Sequence, residues 1–345
     1  MRVTEVLYPN GMVSVCMDAA LREMSTFHEK EKTVIITDEK IFSLHEDKLS
    51  GYEVIKIKGG EKNKTQATVD NIISELLELE VDKTWLIAGV GGGVVTDIAG
   101  FAASIYKRGV KVGFVPTTVL AMTDAAIGGK NGVNVGMYKN MVGTTCRPQF
   151  ILYDLAFLDT LPREEWINGF AEIIKHACIK DAEMFAELES HNIDYYIQNK
   201  KAAAALIERN AALKNTVVVN DESETGERYL LNFGHTFGHA IENLHGLPHG
   251  HAISIGMAIA GSVSAEINNF DTDSKKSILK LLQQYELPVS VKTDKEKVFE
   301  LLKKDKKRLG DKMNFVMLDS IGNGVVVPLP ITVLKDLFDQ SVQCR

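Results

Sequence analysis

Cysteine is scarce and scattered in this chain. The four present, Cys16, Cys146, Cys178 and Cys344, show no CxxC spacing, which argues against a disulfide framework and for a reducing compartment, so cytoplasm is the expected location. Positive charge is not in excess either. With 39 basic against 46 acidic residues the formal net charge is -7, and no field exists to recruit nucleic acid or an anionic membrane; an anionic ligand would need a local basic pocket. The opening MRVTEVLYPNGMVSV lacks a basic head followed by an apolar core, which argues against export. The apolar stretch Ala252 to Ala265 is broken by Ser and Gly and is too short for a bilayer span. No internal repeat or low-complexity tract is present.

What remains is a globular composition: 45% hydrophobic and 25% charged residues in 345, more than one core usually serves, so two domains are expected. The first half alternates short β-branched runs with helical periodicity: Thr33 to Thr37, Tyr52 to Ile57, an amphipathic stretch Thr65 to Leu79, then Thr84 to Ala88. That alternation predicts parallel strands joined by crossover helices. Further strands are expected at Val112 to Val115 and Phe150 to Tyr153, with a Gly-rich loop or hairpin from Gly128 to Gly143 between them. Past Leu161 the pattern turns helical: Glu164 to Ile179, Ala182 to Glu189, Lys200 to Val219, Gly234 to Leu244, Ala252 to Asn268 and Ser274 to Tyr285. Short strands at Asn314 to Leu318 and Val325 to Val327 follow the dense basic run Lys303 to Gly310.

Several segments carry chemistry. The run TWLIAG leads into Gly91-Gly92-Gly93 and on to Asp97, and a strand feeding a Gly turn at a helix start presents backbone N–H groups to a phosphate; a plain tight connection would look the same. Asp38 closes the first strand, where a carboxylate accepts either from a ribose hydroxyl or, as a helix N-cap, from the backbone. Gly59 to Lys64 lies on the same strand edge. Between Thr117, Thr118 and Asp124, and on through Gly128-Gly129-Lys130, Asn134, Lys139 and Asn140, hydroxyl, carboxylate, amide and ammonium groups gather around glycines. Such a set suits an oxyanion.

The strongest local signal is Asn232-Phe233-Gly234-His235-Thr236-Phe237-Gly238-His239, followed by His249-Gly250-His251. His235 and His239 share a helical face, and a third imidazole after a Pro turn can fold beside them to hold a metal. Glu172 stands alone among apolar residues on a predicted helix. An interior carboxylate is expensive, so it is either a metal ligand or bonded to Lys175 or another cation. Lys214, Arg228 and Asn232 are candidates for a carboxylate or phosphate.

Together these segments resemble the sugar phosphate cyclases, 3-dehydroquinate synthases most closely, from about Thr33 to Val327. The specific pieces are GGGVVTDIAGF, VPTTVLAMTDAAIGGKNGVN, YKNMVG, AEIIKH, and LNFGHTFGHAIE followed by HGHAISIGM. The resemblance implies a Rossmann-like NAD-binding α/β domain over residues 1–160 and a mostly helical metal- and substrate-binding domain over 161–345. It implies zinc or cobalt held by Glu172, His235 and His249, with His239 contacting phosphate or moving a proton. NAD would be bound by Asp38, Gly60, Glu61 and Lys64, by Gly92, Gly93 and Asp97, by Thr117, Thr118, Lys130 and Lys139, and by Phe157 to Thr160. Substrate would be held by Asp124, Lys130, Asn140, Lys175, Lys214, Arg228, Asn232 and Lys306 or Lys307, with Arg108 reaching in from a partner subunit of a homodimer. Lys130, Asn140 and His239 are expected to converge on the leaving phosphate. The sequence departs from the pattern at His251, where Glu or Gln is usual, and at Asp124-Ala125-Ala126, where a hydroxyl is usual.

The implied activity closes a phosphorylated sugar acid, 3-deoxy-D-arabino-heptulosonate 7-phosphate, into a carbocycle. Transient oxidation of a ring alcohol by NAD acidifies the neighbouring C–H, phosphate leaves, and the hydride returns, so no net redox change occurs. A metal-dependent polyol dehydrogenase is the first rival, and it needs no phosphate clamp. A zinc- and nucleotide-binding protein without chemistry is the second.

Overall fold

The computed structural model describes residues 1–9, 11–136, 138–303, 308–309 and 311–341. In chain order the first elements are β1 (Arg2–Tyr8), β2 (Gly11–Met17), β3 (Thr33–Asp38), α1 (Glu39–Leu49), β4 (Glu53–Ile57), α2 (Gln66–Glu78), β5 (Leu86–Gly91), α3 (Gly93–Ile105), β6 (Lys111–Pro116), β7 (Lys130–Val135), β8 (Tyr138–Thr145) and β9 (Phe150–Leu152). They are followed by α4 (Arg163–Lys180), α5 (Ala182–Glu189), α6 (Ile193–Gln198), α7 (Lys200–Asn220), α8 (His235–His245), α9 (His249–Ile267), α10 (Thr272–Gln284) and α11 (Lys295–Lys303). The chain closes with β10 (Arg308–Leu309), β11 (Lys312–Ser320), β12 (Asn323–Pro330) and α12 (Ile331–Ser341).

A seven-stranded sheet in the order β1-β2-β9-β6-β5-β3-β4 organises the first unit. It is parallel from β2 to β4, as the alternating pattern predicts, with only β1 antiparallel. Parallel strands covered on both faces read as continuous apolar runs, and β5 and β3 are buried almost throughout. β1 escaped the sequence reading because it is an edge strand: most of Arg2–Tyr8 is exposed, so no buried face imposes an alternation. The Gly-rich segment folds as the β7–β8 hairpin. Chain order reverses across β3, with β4 on one side and β5 on the other. The carboxyl ends of β3 and β5 therefore flank a switch point, the place where open α/β sheets bind nucleotides.

The chain divides into two compact units, Met1–Glu165 with Ala204–Glu222, and Trp166–Ala203 with Ser223–Arg345. The segment Ala204–Glu222, most of α7, packs with the first unit although it lies beyond residue 161, the expected start of the second domain. Periodicity shows that a helix has a buried face but not which layer covers it. Side chains decide that here: Glu208 pairs with Arg2, Asn215 binds the Tyr8 hydroxyl, and Glu222 pairs with Arg147.

The second unit is mostly helical, as expected, with a three-stranded sheet in the order β10-β11-β12. The two short strand candidates pair with each other, Phe315 opposite Val327 and Val316 opposite Val326. Two helices meet here at backbone distance. A Cβ on Gly256 of α9 would lie 1.8 Å from the carbonyl oxygen of Gly234 at the start of α8, so only glycine permits the approach.

Candidate metal and nucleotide sites

In the second unit three helices deliver one cluster. Asn168, Glu172 and Lys175 follow i, i+4, i+7 spacing on α4, and His235, His239 and Glu242 repeat it on α8, so each set shares a face. α9 starts at His249, and the Gly250 N–H donates to Asn168 Oδ1 at 2.6 Å, fastening that start onto α4. Glu172 Oε1 consequently lies 3.2 Å from His249 Nε2 and 3.5 Å from His235 Nε2. The ligating atoms of these three residues all fall within 4.8 Å of one another. Lys175 Nζ pairs with the other carboxylate oxygen, Oε2, so Glu172 meets a cation and two imidazoles at once.

The His235 imidazole is oriented from behind. His235 Nδ1 faces the Phe233 carbonyl at 3.1 Å, which makes it the N–H nitrogen and leaves the Nε2 lone pair turned toward Glu172. His239 stands edge-on to His235 with ring centroids 5.1 Å apart. His251, two residues beyond His249 and therefore on another face of α9, belongs to none of the candidate metal clusters among the described residues.

Electrostatics agree with a cation seat. Burial by itself pushes the Glu172 carboxyl up, but Lys175, His235 and His249 outweigh it and hold the group well below the usual carboxylate range. Burial likewise pushes the His249 imidazole down, yet Glu172 and Glu242 outweigh it and lift it to about 10. In the metal-free protein a proton on His249 thus supplies positive charge between two buried carboxylates. One carboxylate oxygen and two imidazole nitrogens around such a point fit a divalent ion and would leave some of its coordination positions open.

In the first unit the carboxyl edge of the sheet gathers the other candidates. Asp38 is a helix N-cap, its Oδ1 accepting from the N–H groups of Lys40 and Ile41 at 3.0 and 2.9 Å. Gly92 caps α3 with no side chain to satisfy the first N–H groups. A Cβ there would lie 3.1 Å from Thr118 Cγ2, and one on Gly93 would lie 3.0 Å from Ala125 Cβ. Thr117 Oγ1 is buried without a hydrogen-bond partner. An uncapped helix start and an orphaned hydroxyl are what a pyrophosphate would satisfy, so the residues present fit a dinucleotide.

The β7–β8 hairpin adds polar groups to that edge. Buried Lys64 donates to Asp97 Oδ2 and to Asn140 Oδ1, both at 2.5 Å. Burial pushes the Asp97 carboxyl up, against the pull of Lys64. Asn140 holds a left-handed φ of 53°, and its N–H donates to the Asn134 side chain, which in turn binds Glu61. Lys139 lies 4.0 Å from Glu61; Lys130 is exposed at the hairpin base. Lys214 of α7 grips Asp124 through Oδ1 at 2.7 Å, on a π-helical turn, Ala121–Ala125, of the kind common at functional sites. Thr160 accepts from or donates to His45 Nε2 at 2.8 Å, and Phe157 packs edge-on against the same ring. Arg108 is exposed beyond α3 in a left-handed conformation.

Arg228 is buried in the second unit, and Asn232 donates to Glu224 at 2.7 Å. Lys306 and Lys307 lie outside the described residues. Sequence reasoning missed Asn168, Glu242 and His45; Asn168 and Glu242 carried a signal in their helical spacing from Glu172 and His235, and His45 carried none.

Comparison with known proteins follows the same division. Solved structures sharing the fold include 2-deoxy-scyllo-inosose synthase complexed with carbaglucose-6-phosphate, NAD+ and Co2+ (TM-score 0.86, 24% identity, 98% of this chain and 100% of that one). Another is 2-epi-5-epi-valiolone synthase from Streptomyces hygroscopicus subsp. jinggangensis 5008 with NAD+ and Zn2+ bound (TM-score 0.86, 27% identity, 99% and 98%). The architecture is that of the sugar phosphate cyclases. Residues 54–168 match the 3-dehydroquinate synthase N-terminal model and 169–308 the 3-dehydroquinate synthase C-terminal model. The chain is 38% identical over 316 residues to 3-dehydroquinate synthase from Campylobacter concisus (strain 13826), covering 89% of this chain and 90% of the relative. It is 39% identical over 297 residues to that of Saccharolobus solfataricus, covering 84% of each. The chain belongs to the 3-dehydroquinate synthase family, and it is an enzyme of that type.

Proposed function

We propose that this enzyme converts 3-deoxy-D-arabino-heptulosonate 7-phosphate to 3-dehydroquinate and inorganic phosphate, with NAD used catalytically and a single divalent ion, zinc or cobalt, held by Glu172, His235 and His249. The observation that carries the reading is the convergence of that buried carboxylate with two imidazoles whose orientation leaves ring nitrogens facing it. NAD supplies a reversible hydride acceptor and the ion a Lewis acid for a substrate alcohol. NAD is assigned to Asp38, Gly60, Glu61, Lys64, Gly92, Gly93, Asp97, Thr117, Thr118, Lys130, Lys139, Phe157 and Thr160.

The chain's own groups have the remaining tasks. Asp124, oriented by Lys214, and the cations Lys175 and Arg228 hold substrate hydroxyls and carboxylate, with Asn232 beside them. His239 carries a proton in the elimination, which the acidified C–H must lose as phosphate departs. Lys130 and Asn140 bind the departing phosphate. Arg108 acts from the partner subunit of a homodimer. The product is a carbocyclic keto acid of the shikimate route to aromatic amino acids, made in the cytoplasm.

The test is purified enzyme with the heptulosonate phosphate, NAD and zinc, followed for phosphate, dehydroquinate and NADH. Phosphate and dehydroquinate should appear together with no lasting rise in NADH absorbance. Stoichiometric NADH without phosphate would mark a dehydrogenase and overturn the reading.

A further inference from the structure

Glu242 has no part in the roles assigned above, yet it is a buried carboxylate inside the second unit. Burying such a charge is costly without a partner. Its Oε1 lies 3.5 Å from His249 Nδ1, while the opposite ring nitrogen, Nε2, faces Glu172 at 3.2 Å. One imidazole therefore stands between two carboxylates, one at each nitrogen. His235 supplies the comparison, because its Nδ1 is met by the Phe233 carbonyl at 3.1 Å and its Nε2 points to the same Glu172 oxygen. Both imidazoles thus have an acceptor behind them, a neutral carbonyl in one case and a carboxylate in the other.

We propose that Glu242 is a positioning residue for the metal site: it accepts the Nδ1–H of His249, fixes the tautomer that presents Nε2 to the ion, and raises the basicity of that ligand. The assignment rests on the reading of Glu172, His235 and His249 as the ligand set. A carboxylate behind a ligating imidazole fixes ring orientation and strengthens donation, and its removal characteristically lowers metal affinity about 10- to 100-fold. The spacing explains how α8 does both jobs, since Glu242 is seven residues, two turns, beyond the ligand His235 and looks along the same face. His239, Glu242 and His249 also bring ligating atoms within 4.8 Å of one another, so a second ion bound directly by Glu242 is the competing arrangement.

The experiment titrates the metal-free enzyme and its variants with Co2+ against a chelator, reading affinity, stoichiometry and the visible Co2+ spectrum. Glu242→Gln is near-isosteric and keeps an acceptor without the charge, whereas Glu242→Ala removes both; circular dichroism checks that each is folded. Expected are one ion per chain throughout, affinity reduced about 10- to 100-fold in Glu242→Ala and less in Glu242→Gln, and an altered Co2+ spectrum in both. Wild-type affinity and spectrum in folded Glu242→Gln and Glu242→Ala would overturn the proposal, as would two ions in the wild type falling to one in the variants. Glu172→Ala serves as the separate control. If it binds Co2+ as tightly as wild type, the ligand set itself is wrong and the role of Glu242 falls with it; if it alone loses the ion, the ligand set stands and only Glu242 is misassigned.

Discussion

Substituting Gly250 tests whether the metal site depends on the contact between α9 and α4. A Cβ at that position would lie 2.2 Å from the carbonyl oxygen of Asn168, and ordinary contact begins near 3.4 Å. Because the obstruction is backbone, the start of α9 must retreat by about 1.2 Å in Gly250→Ala, the difference of those distances. His249 is the adjacent residue, so its imidazole moves away from Glu172 by a comparable amount. Overpacking of this kind costs about 1–3 kcal/mol, and a misplaced ligand should weaken metal binding by about tenfold or more. Gly261 on the same helix is the internal comparison. A Cβ there meets only Lys275 Cγ at 3.8 Å, so Gly261→Ala should stabilise by about 0.5–1 kcal/mol through helix propensity and leave the metal bound. Chemical denaturation and Co2+ titration of both variants decide the matter. If Gly250→Ala matched the wild type in stability and affinity, the close approach would not be what positions His249.

Metal analysis after Glu172→Ala or His249→Ala should show large loss, whereas His251→Ala should retain the ion; the reverse pattern for the two histidines refutes the ligand set. His239→Ala and Asn140→Gly should each slow phosphate release by about a hundredfold, the size of one preorganised donor. Glycine is used at position 140 because Asn140 is left-handed, so the amide is removed without adding backbone strain. Near-normal phosphate release in both folded variants would sink the phosphate clamp. Zinc affinity should rise with pH, by up to about a hundredfold from about pH 6 to about pH 8, because the ion must displace a proton from His249, whose imidazole sits at about 10 without metal; an affinity flat in pH contradicts this. For metal-free stability the raised His249 contributes fully below its ordinary value of 6.5 and is lost as pH rises through about 10. The depressed Glu172 contributes above its ordinary 4.5 and is lost as pH falls below it. Metal-free protein should therefore be most stable between those ordinary values, as thermal melts across pH will show.

The sequence by itself determined the alternation of strands and helices and the family. Short β-branched runs such as Thr33 to Thr37 read as buried strands from their length and residue type, and HTFGH places two imidazoles on one helical face through the 3.6-residue repeat alone. Local geometry follows from local sequence. It did not determine what meets across elements. The alternatives left open for Glu172 turned out to be compatible, since one carboxylate oxygen pairs with Lys175 and the other faces two imidazoles. Asp38 is seen as an N-cap, a role that uses its Oδ1. The return of α7 to the first unit and the place of Glu242 behind His249 were invisible in the chain, because each depends on which faces pack together. Backbone contact through Gly250 and Gly256 holds α9 close to α4 and α8, and a glycine's spacing in sequence does not reveal what its missing Cβ would have struck.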